Sequence, residues 1–467
     1  MTDSNKLIYN LVYDYYEARI LMGVCLYGEA LPSIPKIGET FRMAPRTVRA
    51  ALTRLEENGY IEVTARKPAR VIYQADAERF RENAAKYFVP RRKGIIDFCG
   101  AGLLLVEPVW MYAQANIDKD TWEQLKKRLS EAWVMDLSVA TRLHLYAFDE
   151  LQNKLFLNFY WELLRYIRFP YLSRKNMHQE RDRELLVDEK ENESEFMRVA
   201  FEDDFNAGME KLLTFCDRAE GEYGLRERDP IPFRWNIYWQ RPQLCYTLVS
   251  RIITGIMNGT YPIGSSLPSL AQMAKQLNVS YRTLRRTLSI LGSLGIISSH
   301  RGKVAEVCFD IGNIDFERAE VKEGLRLYRD SLQFMALTVR HVLLYTLQNA
   351  DKEQRVLLAE RFEEIYRQDA CYKCFKLVSD FIVTNCPLAT VKECYSVLSE
   401  FIVWGYPFVL IHAKRLNLRE EYSKVICKAG KMLKDGELEG FADTWKGQFE
   451  HDLLKADQML DEHRCGR

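Results

Sequence analysis

The sequence predicts a mainly α-helical protein with small β wings, in which two winged helix-turn-helix modules alternate with two all-α helical bundles. Three observations lead there. A segment near the N-terminus recurs without a gap 236 residues later, from Leu31-Pro32-Ser33 to Leu267-Pro268-Ser269. Each copy then reads as a short helix, a turn, a basic helix and a β-hairpin. Each is followed by about 150 residues whose apolar positions recur at helical spacing.

The repeat runs from Leu31 to Ile61 and from Leu267 to Ile297. Ten of its 31 aligned positions are identical: Leu31, Pro32, Ser33, Arg46, Thr47, Arg49, Leu52, Leu55, Gly59 and Ile61. Average composition gives about two by chance. Gly23 and Gly28 match Gly259 and Gly264 upstream; Lys67 and Val71 match Lys303 and Val307 downstream. This is the signature of a duplicated module.

In the second copy Pro268 opens a helix over Ser269–Gln276, and Asn278-Val279-Ser280 forms a turn. Ser280 suits the N-cap of a helix over Tyr281–Ser293. Leu284, Leu288 and Leu291 are expected to hold that helix to the core. Its other face offers Tyr281, Arg282, Arg285 and Arg286. A hairpin follows with a basic tip, Arg301 and Lys303; the first copy has Arg66 and Lys67 there. The first copy places Met43-Ala44-Pro45 where the second has Val279-Ser280-Tyr281, so it loses the serine cap. Proline at a helix start remains acceptable.

This order of elements suits DNA. The start of the second helix enters the major groove, and an arginine fork bonds guanine O6 and N7 together. The net charge of +1 gives no global nucleic-acid signature, so affinity has to come from local patches. Residues 36–73 carry eight Lys/Arg against four Glu, and residues 267–309 carry six against one. The expected DNA-binding set is Arg46, Thr47, Arg49, Arg66, Lys67, Ser280, Tyr281, Arg282, Thr283, Arg285, Arg286, Arg301 and Lys303.

The rest divides by the same logic. Modules are expected at 7–73 and 243–309, helical effector-like or dimerisation domains at 80–228 and 315–467, and a linker at 229–242. Helices are expected at Thr121–Asp136, Ala140–Phe169 and Glu195–Arg218, then Gly324–Gln348, Lys352–Ile365, Tyr372–Thr384, Leu388–Trp404 and Glu420–Leu433. Glu180–Glu195 is dense in charge and reads as a solvated loop or helix end. The linker holds Pro230, Pro232 and Pro242 among large aromatic rings, which predicts a boundary that is packed down.

Apolar and charged fractions of 47% and 28% fit a soluble globular protein. The N-terminus lacks the apolar core of a secretory signal, and Ala101–Val106 and Phe401–Ile411 are too short to span a bilayer. Eleven scattered cysteines point to free thiols in a reducing compartment. A cytoplasmic protein without membrane contact is expected. Cys371-x-x-Cys374 has no second ligand pair at zinc spacing and reads as core thiols. No nucleotide loop, GxSxG or HExxH is present, so an enzyme is not expected.

Both copies resemble the GntR family of bacterial transcription regulators. The matching residues are Gly28 with Leu31-Pro32-Ser33, Thr47-Val48-Arg49-Ala50-Ala51-Leu52 and Leu55/Gly59/Ile61. In the second copy they are Gly264 with Leu267-Pro268-Ser269, Val279 through Arg285 and Leu291/Gly295/Ile297. Pro35 and Ala271 stand where the family has a DNA-contacting arginine; Pro45 and Tyr281 stand where it has another. The resemblance implies binding to double-stranded operator DNA, with a small-molecule effector and homodimerisation as further options. The helical parts resemble degenerate forms of the effector (FCD) domain of the FadR-like branch, through Leu143-His144 with Asn153, Glu202 through Ala207, and Phe375-Lys376 with Asn385. That domain often binds a metal. Here Ala140, Ser194, Phe215 and Lys376 fall at or near ligand positions, so His144 is expected to be a hydrogen-bonded core residue, with no metal and no cofactor. Tyr146, Phe156, Phe159, Tyr160, Trp161 and Tyr166 are candidates for a pocket lining but fit a plain core better. The competing reading is a plasmid-type replication initiator, which also uses two winged helices in one chain.

Overall fold

A computed structural model describes residues 5–41, 43–131, 139–168, 172, 193–225, 229–235, 243–298, 304–308, 314–407 and 418–462. The architecture is mainly α, with two small antiparallel hairpins as its sheets among the described residues. Two compact units emerge. One comprises Met1–Gly100, Trp110–Gln152 and Leu157–Gln240; the other comprises Ala101–Val109, Asn153–Phe156 and Arg241–Arg467.

The first unit opens with α1 (Asn5–Leu21), α2 (Ile34–Thr40) and α3 (Pro45–Glu57), closed by β1 (Ile61–Glu62) and β2 (Arg70–Val71). Then come α4 (Ala77–Phe88), α5 (Arg92–Leu105), α6 (Glu107–Asn116), α7 (Lys119–Glu131), α8 (Val139–Glu150), α9 (Lys154–Ile167) and α10 (Glu193–Glu222). The sequence predicted a single helix over Ala140–Phe169, and the structure breaks it. Gln152 adopts φ 54, outside the helical region. Asn153 then restarts the chain by accepting the Phe156 amide at 2.8 Å, an N-cap that ends one helix and begins another.

Residues 229–235, where a linker is expected, are packed down within the first unit. Phe233 and Trp235 are 6% and 4% exposed. Trp235 Nε1 donates to Asn158 Oδ1 at 2.7 Å, and the Ile231 amide donates to the Pro90 carbonyl at 2.8 Å. The charged stretch Glu180–Glu195 lies outside the described residues up to residue 192.

The second unit repeats the opening: α11 (Gln243–Met257), α12 (Leu270–Gln276), α13 (Tyr281–Ser293), β3 (Ile297–Ser298) and β4 (Glu306–Val307). Among the described residues six α-helices follow: α14 (Ala319–Asn349), α15 (Lys352–Arg367), α16 (Cys374–Asn385), α17 (Ala389–Ile402), α18 (Leu418–Asp435) and α19 (Leu438–Glu462). Glycines fix the close approach of α14: a Cβ on Gly324 would lie 2.1 Å from the buried Trp404 ring. Cys371 and Cys374 are 3% and 1% exposed, and burial raises the Cys374 thiol pKa well above the usual range.

Among the described residues one helical run, Ala77–Asn116, is long and apolar enough to cross a membrane by length and composition. A turn at Val89–Arg91 interrupts it, and Phe88, Ile95 and Trp110 within it are buried in the protein's own core.

Candidate nucleic-acid interface

Glycine supplies the backbone that opens each winged helix. Gly264 takes φ +83, a region that costs an L side chain about 1 kcal/mol or more. Its amide donates to Val307 O at 2.7 Å; Leu267 N donates to Ala305 O at 2.8 Å, and Val307 N to Ser265 O at 2.9 Å. The segment before the Leu-Pro-Ser motif thereby bridges to the outer strand of the wing, Ser266 opposite Glu306. In the first module Gly28 bonds Val71 O at 2.9 Å, Leu31 N bonds Ala69 O at 2.8 Å and Val71 N bonds Glu29 O at 2.9 Å.

In the second module Ser269 and Gln272 form a reciprocal capping box on α12. Ser280 caps α13 by accepting the Thr283 amide at 3.1 Å, and its hydroxyl lies 2.8 Å from Thr283 Oγ1. Ser280 and Thr283 therefore build the helix start. Leu284, Thr287, Ile290 and Leu291 face the core. Leu288, expected among them, is half-buried, because the 3.6-residue period carries the inner face through Thr287 and Ile290 instead. Tyr281 is 54% exposed, and Arg282 and Arg285 are exposed beside it. Arg286 stands at the margin of that face, where its guanidinium meets Glu320 Oε1 at 3.3 Å. Arg301 and Lys303 lie outside the described residues.

The first module presents Arg46 and Arg49 on α3, both exposed. Thr47 does not join them: it is 6% exposed and belongs to the inner face with Val48, Ala51, Leu52 and Leu55. Its contact with DNA was an expectation from sequence identity, and the helix period turns it inward. Neither α2 nor α3 has a side-chain cap. Arg66 and Lys67 sit exposed at the wing tip, and Arg66 itself takes φ 62 where a glycine is ordinarily favoured.

A buried ionic cluster ties the first module to α9, and nothing in the repeat announced it. Arg165 bonds Asp14 Oδ2 at 2.6 Å and Glu162 Oε1 at 2.6 Å. Arg168 reaches Asp14 at 3.4 Å and Glu17 at 3.2 Å. Burial raises the Glu162 pKa, and Arg165 opposes that rise. Phe41, in the turn after α2, approaches Trp161 with ring centroids 6.3 Å apart. On the other side, Tyr13 stacks under Arg54 at 4.2 Å and accepts from Asn58 at 2.7 Å.

Residues 8–71 and 246–307 both match the family described as bacterial regulatory proteins, gntR family. Both winged helices are thus similar to the GntR family. An HTH-type transcriptional repressor of Salmonella typhimurium is 43% identical over 53 residues, which are 11% of this chain and 22% of that protein. The chain thus spans about a fifth of the length of that curated relative. A GntR protein of Streptococcus agalactiae is similar at 16% identity and a TM-score of 0.22, over 45% of this chain and 99% of that one. A transcriptional regulator described as a putative GntR protein of a Rhodococcus species gives 14% and 0.27, over 46% and 97%.

Outside the two winged helices, His144 is a core residue: it is 7% exposed, and its Nδ1 lies 3.1 Å from Tyr160 Oη. The Trp110 ring centroid is 4.5 Å away. Burial lowers the imidazole pKa to about 3. Phe156, Phe159 and Tyr160 are buried, and Tyr146, Trp161 and Tyr166 half-buried. Among the described residues no group of three or more His, Cys, Asp or Glu stands where a metal ion would be held.

Proposed function

We propose that this chain is a cytoplasmic, sequence-specific DNA-binding transcription regulator of GntR type, arisen by internal duplication, whose two unlike recognition helices act as a pseudo-dimer. The observation that carries this reading is the pair of exposed arginines at the same register in both modules, Arg46/Arg49 and Arg282/Arg285, each pair on the first turns of a second helix. Arginine at that place reads guanine, and the basic surroundings supply phosphate contacts. Ser280 and Thr283 set the start of the second recognition helix, and Tyr281 stands beside its arginines. Arg66 and Lys67 extend the first module's basic surface onto its wing; Arg301 and Lys303 are the phosphate-contacting candidates that the sequence offers in the second. Because Pro45 stands where the second copy has Tyr281, the two half-sites differ in sequence. The helical regions are degenerate FadR-like effector and dimerisation domains. An effector regulates this protein only if it binds the DNA-competent and incompetent arrangements with different affinity.

Selection of binding sites from a random duplex pool, at two salt concentrations, tests this. A two-part motif with unequal halves is expected. Replacing Arg282 and Arg285 with alanine removes specific binding of the second half, at about 1–3 kcal/mol per lost bidentate contact. Replacing Arg46 and Arg49 does the same for the first. Binding that is blind to sequence, or unchanged by both double replacements, refutes the assignment.

A further inference from the structure

Arg286 differs from the two arginines beside it. Arg282 and Arg285 stand exposed in the middle of the outward face of α13, whereas Arg286 lies between that face and the buried Ile290. It is paired with Glu320 at 3.3 Å, and the two side chains are 42% and 22% exposed.

Glu320 is held from three sides. It lies in the first turn of α14, where the helix dipole favours an anion. Its Oε2 accepts from Arg318 Nε at 3.2 Å, and its Oε1 meets Arg286. Burial alone pushes its pKa up, but its own backbone amide, Arg318 and Arg286 together outweigh that, and the carboxylate is held below its usual range.

Arg318 is anchored in turn to the far end of the recognition helix. Its Nη1 donates to Ser289 O at 3.0 Å and to Ser293 Oγ at 2.6 Å. Asp315 N donates to Ser293 O at 2.8 Å. The last turn of α13 and the first turn of α14 are thus one charged junction. The repeat gives it no counterpart, since Ala50 and Ala84 occupy the positions of Arg286 and Glu320 in the first module.

Resting on the DNA-binding reading above, we infer that Glu320 is an electrostatic brake on the second winged helix: it withholds Arg286 from the phosphate backbone, and displacement of the α14 N-terminus releases it. The carboxylate also adds a negative charge at the edge of the basic face, which any approaching phosphate meets. A shift of α14 that breaks the Arg286 pair therefore frees one cation and moves one anion away. The helical region following the module can act on DNA affinity through this junction without altering Arg282 or Arg285.

The test measures affinity for a duplex selected by the full-length wild-type chain, between 50 and 200 mM salt. Glu320→Gln is expected to bind more tightly at low salt. Its plot of log affinity against log salt should be steeper by about 0.9, so that the gain shrinks roughly 3.5-fold over that range. Arg286→Ala should weaken binding, because it leaves the Glu320 carboxylate less compensated at the edge of the basic face, and the double variant should lose the Glu320→Gln gain. Glu320→Asp keeps the charge at the helix terminus but withdraws it from Arg286, and should give part of the same gain if Glu320→Gln disturbs the fold. Unchanged or weaker binding by both Glu320 variants, with a wild type that does select a duplex, overturns the brake alone. A wild type that selects no duplex overturns the DNA-binding reading and the brake with it.

Discussion

In the second winged helix a serine hydroxyl caps each helix of the helix-turn-helix; in the first, neither helix has a side-chain cap. The sequence differences are small. Lys36 replaces Gln272 and removes the reciprocal bond to the N-cap; Ala44 replaces Ser280. At about 1 kcal/mol for each lost cap, the first module is the weaker helix-turn-helix when judged alone. It is held by what surrounds it instead, through Asp14 and Glu17 on the arginines at the end of α9, and Phe41 near Trp161. The same motif has therefore been stabilised from within in one place and from outside in the other. The ion pair at the second module, Arg286 with Glu320, involves partly exposed side chains and adds little to stability.

The largest effect should come from cutting the external support. Arg165→Ala leaves Asp14 and Glu162 facing each other with less compensation, and it should destabilise the first module by about 2 kcal/mol. The figure is below the roughly 3–5 kcal/mol of a fully buried pair because of residual solvent access; the Arg165 side chain keeps 26% exposure. Hydrogen exchange should accelerate across Asn5–Leu21 and stay unchanged across Gln243–Met257. Equal acceleration in both helices, or in neither, would remove the distinction between the two modules.

Acid should act on the same support. His144 touches Tyr160 on α9, the helix that also carries Glu162 and Arg165. Its pKa is lowered by burial to about 3 in the fold, against an unfolded value of 6.5. The unfolded chain therefore binds a proton that the folded chain does not, and stability is full above about pH 6.5 and lost as pH falls toward 3. At pH 5 the loss from this group is about 2 kcal/mol. Exchange across Lys154–Ile167 should speed up between pH 7 and pH 5 after correction for intrinsic rates. His144→Asn should lower stability at pH 7 and flatten that dependence. A pH response that survives the replacement would assign it to other groups.

What could be read beforehand was what the chain keeps local. The Ser280 cap, the span of α13 and the exposed Arg282 and Arg285 follow from spacing within a dozen residues. Identity between the copies misled at Thr47, which is shared because the core needs it, as its 6% exposure shows. The break at Gln152–Asn153 was hidden because apolar spacing continues through it, and only a left-handed residue followed by an asparagine cap marks it. Helices α5 and α6 lack a clean polar face, so periodicity did not announce them. The bonds Arg286–Glu320 and Arg165–Asp14 join residues 34 and 151 positions apart, and no local pattern encodes such pairings.

The smallest change exchanges the caps themselves. Ser280→Ala removes the acceptor for Thr283 N and should destabilise the second helix-turn-helix by about 1 kcal/mol. Because Tyr281 and Arg282 lie in the first turn that this cap fixes, DNA affinity should fall with it although no contacting side chain is lost. Ala44→Ser gives the first module the acceptor it lacks. Its N-cap residue already has the extended backbone that a capping serine uses, φ −62 and ψ 144 against −68 and 150 at Ser280. The Thr47 amide, at the same register as Thr283 N, now donates to the Ala44 carbonyl at 2.9 Å, so the new hydroxyl shares that donor. The gain should therefore be smaller than the loss at Ser280, a few tenths of a kcal/mol. Thermal melts of the two variants, read with exchange across Pro45–Glu57 and Tyr281–Ser293, would show it. Equal and opposite shifts would mean that the two helix starts are energetically alike and that the first module's reliance on α9 has another origin.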